Sequence, residues 1–140
     1  MVTVAVDLLG GDGAPAVVAD AIAGIVAARE PIDLVVVGPA DATHALLGER
    51  GIGAADVRVV DAGSVSSMSE DPLATLRARD DLTVAIAARL VRDGTADAWV
   101  SAGHTGSAVA AAALSLCRLD GMPRRLLGIE RGRAQRLGHL

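Results

Sequence analysis

Two glycine-rich stretches carry residue types that could hold an anion, and a third stretch adds arginine. The first is Asp7-Leu8-Leu9-Gly10-Gly11-Asp12-Gly13-Ala14-Pro15. Glycine lets the backbone take positive φ and approach a ligand closely. Successive N–H groups at a helix start then form an anion site that suits phosphate. Asp7 and Asp12 oppose this reading, because each would repel an anion unless turned away or engaged with loop amides. The alternative is a strand–helix turn that needs glycine for geometry and aspartate for hydrogen bonds. The second stretch, Val100-Ser101-Ala102-Gly103-His104-Thr105-Gly106-Ser107, offers backbone N–H groups, the hydroxyls of Ser101 and Thr105, and an imidazole. His104 could donate to an oxyanion or act as a general acid–base. A helix N-terminus disfavours its charged form and so favours donation. Alternatively, Thr105 or Ser101 caps the helix and His104 is a partly solvated loop residue. The third stretch runs from Ser64 to Arg79 and holds Ser66, Ser67, Ser69, Glu70, Arg77 and Arg79. Arg77 or Arg79 could grip an anionic group in bidentate fashion, or simply line a solvated helix face.

The order of elements decides whether these stretches can meet. Val2–Val6 reads as a buried strand, and residues 15–29 as a helix with Pro15 in its first turn. Ile32–Gly38 is an unbroken apolar run, as in a parallel strand covered on both faces. A short helix from Pro39 to Leu47, a strand at Val57–Ala62 and a helix entry at Ser69-Glu70-Asp71-Pro72 follow. Leu82–Val91 is helical, Asp97–Ser101 extended, and Ser107–Leu116 an alanine-rich helix. This alternation implies an α/β fold with a doubly wound, mostly parallel sheet and right-handed crossovers. Ligands in such sheets bind beyond the carboxyl ends of the strands, where both glycine turns belong.

Composition removes several classes of function. Of 140 residues, 51% are hydrophobic, which excludes global disorder. Trp99 is the single aromatic, so the core is aliphatic and no base-stacking platform exists. With a net charge of −4 besides, nucleic-acid binding is disfavoured. All 13 basic residues are arginine, which excludes lysine nucleophiles and Walker-type lysines within this chain. Cys117 alone can form neither an intramolecular disulfide nor a cysteine metal cluster, and it reads as a small core residue. His44 is expected on a helix surface and Trp99 in the core. No metal site is expected. The opening residues lack a basic flank and are interrupted by Asp7, so they do not read as a signal peptide.

The charge is uneven. Residues 1–117 hold seven Arg against fifteen acids, and residues 118–140 hold six Arg against two. The tail arginines Arg124, Arg125, Arg131, Arg133 and Arg136 could meet an anionic membrane surface or belong to an irregular chain.

Taken together, three motifs resemble a known family. Residues 7–15, DLLGGDGAP, are similar to the DAMGGDxxP signature of the bacterial phosphate acyltransferases of phospholipid synthesis (the PlsX family). Met68-Ser69-Glu70-Asp71-Pro72 with Arg77-x-Arg79, and LVRDGTADAWVSAGHTGS, resemble that family's middle motifs in order and spacing, over residues 2 to about 123. The resemblance implies transfer of a fatty acyl group from acyl carrier protein to inorganic phosphate. It implies a fold like the isocitrate and isopropylmalate dehydrogenases, a homodimer and no cofactor. The setting expected is cytoplasmic, with the basic tail as the part that could touch a membrane peripherally. Carried onto this chain, Gly10, Gly11, Asp12, Ser101, Gly103 and Gly106 would bind substrate or phosphate. His104, Thr105 and Arg77 would serve catalysis.

The chain also departs from the family. The family has Asn where His104 stands, and basic and serine residues where Asp80-Asp81-Leu82-Thr83 stand. Family members are more than twice as long, so residues 1–123 are expected to be the N-terminal α/β part of a truncated acyltransferase domain. Residues 124–140 are expected to be an irregular or frameshifted basic tail, since the family continues there into a buried strand. Two other functions stand beside acyl transfer. One is an inactive fragment that binds an anion or a partner. The other is an unrelated nucleotide-binding module, disfavoured because neither GxGxxG nor a Walker pattern occurs.

Overall fold

A computed structural model describes residues 1–63, 65 and 69–116. Cys117, the basic tail, Ser64, Ser66, Ser67 and Met68 lie outside the described residues.

The β-branched opening segment forms β1 (Val2–Asp7), which leads through the first glycine turn into α1 (Ala16–Ala28). The chain continues through β2 (Ile32–Gly38), α2 (Ala40–Gly48), β3 (Arg58–Asp61), α3 (Pro72–Ala78), α4 (Thr83–Arg92), β4 (Ala98–Val100) and α5 (Thr105–Ser115). The four strands form one all-parallel sheet in the order β3-β2-β1-β4. This is the doubly wound α/β arrangement that the alternation predicts.

Side-chain alternation along each strand divides the core between two faces. Val6, Leu34 and Val36 pack with Ala19 and Ile22 of α1 and Leu47 of α2. Ala5 and Val37 point to the other face and pack with Ala87 of α4. Leu82, Ala85 and Ala88 then join Leu76 of α3 and Ala111 of α5 in a further apolar layer. Leu34, Val35, Val36 and Val37 are all buried, as the uninterrupted apolar run of β2 demands. Trp99 differs from expectation. It is half-buried, bridging the clusters around Ala87 and Ala111, because β4 is one of the two edge strands among the described residues.

The strand order matters most for function. From β1 the chain moves to β2 and β3 on one side, then crosses back over the sheet to β4 on the other side of β1. The direction of winding therefore reverses between β1 and β4, and this switch point is where a doubly wound sheet opens a crevice at its carboxyl rim. Three aspartates at strand ends fasten neighbouring backbone. The Asp61 carboxylate accepts from Ala40 N–H at 2.9 Å, at the start of α2. Asp97 accepts from Thr3 N–H at 2.8 Å, and Asp7 acts at the switch point itself.

Candidate functional site

The first glycine turn follows β1 and the second follows β4. Because β1 and β4 pair directly, with Val6 opposite Val100, the two turns lie side by side. A Cβ placed on Gly10 would lie 2.7 Å from Ser101 Oγ, 2.8 Å from Asp7 Oδ2 and 2.9 Å from Gly103 N. One placed on Gly103 would lie 3.2 Å from Gly10 Cα. Backbone thus meets backbone, and only glycine permits it. Gly11 has φ +108°, and a Cβ there would also sit 2.9 Å from the Ala102 carbonyl oxygen.

Asp7 holds the junction together. Its side chain is buried, with Oδ1 accepting from Leu9 N–H at 3.2 Å and Oδ2 from the Ser101 hydroxyl at 2.7 Å. Ser101 Oγ in turn accepts from Gly103 N–H at 3.1 Å. The one proton of Ser101 is thereby committed to Asp7, and Gly103 N–H to Ser101. A hydroxyl whose proton goes to a carboxylate cannot also donate it to an anion. Ser101 and Gly103 therefore sit at the site as a brace between the turns.

Other N–H groups remain open. Those of Gly10, Gly11, Asp12 and Gly13 in the first turn, and of Thr105 and Gly106 in the second, have no partner among the described residues. Such donors at the start of a helix favour an anion. The side chain of Asp12 is exposed, leaving its N–H as the group it offers here.

α5 begins at Thr105, two residues before the expected Ser107, and its cap is His104 rather than Thr105 or Ser101. The imidazole Nδ1 accepts from Ser107 N–H at 3.3 Å. A Cβ on Gly106 would come within 2.7 Å of His104 Cε1 and 3.0 Å of Pro72 Cγ. The bare glycine thus lets the imidazole and the start of α3 close over the start of α5. α3 is itself capped by Asp71, which accepts from Ala74 N–H at 2.7 Å.

The arginines are less closely tied to the turns. Arg77 is exposed in the last turn of α3, and no hydrogen bond or ion pair joins it to either turn among the described residues. Arg79 lies 4.0 Å from Glu70 and 3.7 Å from Asp81, so acids already occupy it. His44 is exposed on α2, as expected. A cavity of about 340 Å³ between α3, α4 and α5, lined in part by Leu76, Arg89 and Leu114, shares no residue with the turns. No group of side chains suited to a metal ion occurs among the described residues, and none of their helices is long and apolar enough to cross a membrane.

Sequence reasoning offered Asp7 as a carboxylate for loop amides, which its bond from Leu9 N–H bears out, but not as a partner of Ser101. The Asp7–Ser101 bond spans 94 positions and becomes visible only once β4 is known to lie beside β1. Pro72 was likewise hidden, since nothing local ties it to Gly106.

The chain is similar to known proteins over most of its length. The family model described as "Fatty acid synthesis protein" matches residues 2–136. The chain is 40% identical over 124 residues to a phosphate acyltransferase of Heliobacterium modesticaldum, covering 86% of this chain and 36% of that protein. It is 42% identical over 126 residues to a phosphate acyltransferase of Herpetosiphon aurantiacus, covering 89% of this chain and 33% of that protein. A phosphate acyltransferase of a Cyanothece species is 38% identical over 127 residues, again covering 89% of this chain and 36% of the relative. The chain thus spans 33–36% of the length of these relatives. With both glycine turns inside the matched region, the chain belongs to the fatty acid synthesis protein family whose relatives carry the name phosphate acyltransferase.

Proposed function

We propose that this chain forms the anion-holding part of a phosphate acyltransferase that moves a fatty acyl group from acyl carrier protein to inorganic phosphate. The observation that carries the proposal is the meeting of two glycine turns, with unpartnered N–H groups, at the switch point of the sheet. A phosphate oxygen attacks the thioester carbonyl carbon, the carbonyl oxygen takes up the electron pair, and the C–S bond then breaks. The products are acyl phosphate and the carrier thiolate, which is protonated by solvent. Phosphate is already a nucleophile at neutral pH, so positioning and oxyanion stabilisation carry the rate.

In this reading Gly10, Gly11 and Asp12 hold phosphate through their N–H groups. Thr105 and Gly106 face phosphate or the oxyanion. Ser101 and Gly103 keep the turns together, and Arg77 adds positive field from α3. The relatives' name supports acyl transfer. Acyl carrier protein as donor and a homodimer rest on the motif resemblance. A cytoplasmic setting is part of the same proposal, whereas membrane contact rests on the tail arginines, and a boundary near residue 123 on the resemblance together with the change in charge.

A second reading is an anion- or partner-binding module without turnover. It is favoured by Val100, Val109 and Leu114, which leave an apolar surface exposed on β4 and α5. One assay separates the two readings. The purified chain is given an acyl carrier protein thioester and inorganic phosphate, and acyl phosphate is trapped with hydroxylamine. Product above a no-protein control, absent without phosphate, supports acyl transfer. Saturable phosphate binding with no product supports the second reading.

A further inference from the structure

We propose that His104 serves the reaction as a hydrogen-bond donor through Nε2–H, aimed at an anionic oxygen, and not as a general base; this rests on the acyl-transfer reading. The inference begins at the helix cap. Ser107 is the third residue of α5, and its N–H has no intrahelical carbonyl to bond. It donates to His104 Nδ1 at 3.3 Å. A neutral imidazole has one N–H and one acceptor nitrogen. With Nδ1 accepting, the proton resides on Nε2.

The cap then limits what the ring can do. For Nε2 to take a proton as a base, the neutral ring would need its proton on Nδ1 instead. That tautomer sets Nδ1–H against Ser107 N–H, two donors facing each other beside a buried residue, Ser107 being 2% exposed. The resting form is therefore a fixed donor.

Its position suits that role. The ring edge bearing Nδ1 and Cε1 lies over Gly106, within 3.0 Å and 2.7 Å of where a Cβ would stand. Nε2 is the next ring atom beyond Cε1, on a ring packed over the start of α5, where Thr105 and Gly106 N–H have no partner among the described residues. The imidazole and these backbone donors thus belong to the same helix start. The shared chemistry of their ligand is an anionic oxygen, either of phosphate or of the thioester carbonyl as it becomes an oxyanion.

Asparagine tests the assignment. At a helix cap its Oδ1 can accept from Ser107 N–H while its NH2 group donates outward, yet it cannot serve as a base. In acyl-phosphate formation, His104→Asn should retain kcat/KM within about fivefold, while His104→Ala should lose about 100-fold. A loss in His104→Asn as large as in His104→Ala would overturn the proposal. A rise in KM for phosphate in His104→Ala assigns the donor to a phosphate oxygen, whereas a fall in kcat alone assigns it to the oxyanion. A second measurement needs no turnover. In the 15N spectrum of histidine-labelled chain, with the His104 signals identified by their loss in His104→Asn, Nε2 should carry the proton; a protonated Nδ1 would overturn the proposal. A parent chain that forms no acyl phosphate removes the acyl-transfer reading for this chain, and the spectrum still decides the tautomer.

Discussion

The two glycine turns occupy equivalent places, after neighbouring parallel strands, yet they start their helices differently. The first has no side-chain cap: Pro15 precedes α1 and leaves the early N–H groups unbonded by side chains. Its glycines serve close approach, with Gly10 against Ser101 and Gly103, and Gly11 against Ala102. The second turn is capped by His104 and braced by Ser101. One turn therefore supplies bare backbone, and the other adds a side chain whose chemistry its cap has fixed. The contrast also bears on how an acid-rich chain can carry the proposed anion site. Asp7 is spent on Leu9 and Ser101, and the Asp12 side chain is turned to solvent.

Substitutions can break this division of labour. The largest effect is expected for Gly10→Ala, whose Cβ would meet Ser101 Oγ at 2.7 Å and the Gly103 nitrogen at 2.9 Å. Neither can move without parting the turns, so urea denaturation should show a loss of about 3 kcal/mol, the upper part of the range for overpacking. Ser101→Ala should cost less. It leaves Gly103 N–H and Asp7 Oδ2 without their bonds, a loss of about 1–2 kcal/mol in the same experiment. If Ser101→Ala left stability unchanged, the brace between the turns would be refuted.

The next effect has the opposite sign and lies outside the turns. Gly24 is exposed within α1, and a Cβ there would meet nothing within 4 Å. Gly24→Ala should raise stability by about 0.5–1 kcal/mol through reduced backbone freedom in the unfolded chain. A loss instead would show that glycine serves α1 as it serves the turns. The smallest effect is expected for Arg92→Gln. The hydrogen bond from Arg92 holds the Asp93 carboxyl below its usual range. Its contribution would be present at neutral pH and lost as pH falls through the carboxylate range. Both side chains are exposed and the pair is screened by solvent, so the urea midpoint at neutral pH should move by no more than the error of the measurement.

Much of the fold was legible because periodicity is a local signal. The apolar run of Leu34–Val37 and the glycine and proline punctuation around Pro15, Pro39 and Pro72 mark the elements directly. Both turns were legible as rim positions for the same reason, since glycine clusters after parallel strands imply them. Pairings across the sheet were not legible. Alternation implies a parallel sheet without saying that β4 lies beside β1, so the bond between Asp7 and Ser101 had no sequence signal. The cap by His104 was missed for a different reason. Ser and Thr are the usual caps, and the eye falls on Thr105, but the helix begins there and the residue before it must cap. Arg77 was chosen by residue type, and in the last turn of α3 it makes no bond with the turns among the described residues.

The central claim is that the two turns form a single anion site. Titrating the 15N-labelled chain with inorganic phosphate and following backbone amide shifts tests it most directly. The account predicts that Gly10, Gly11, Thr105 and Gly106 shift together along one binding curve with one Kd. Shifts confined to one turn, or two curves with separate Kd values, would contradict it.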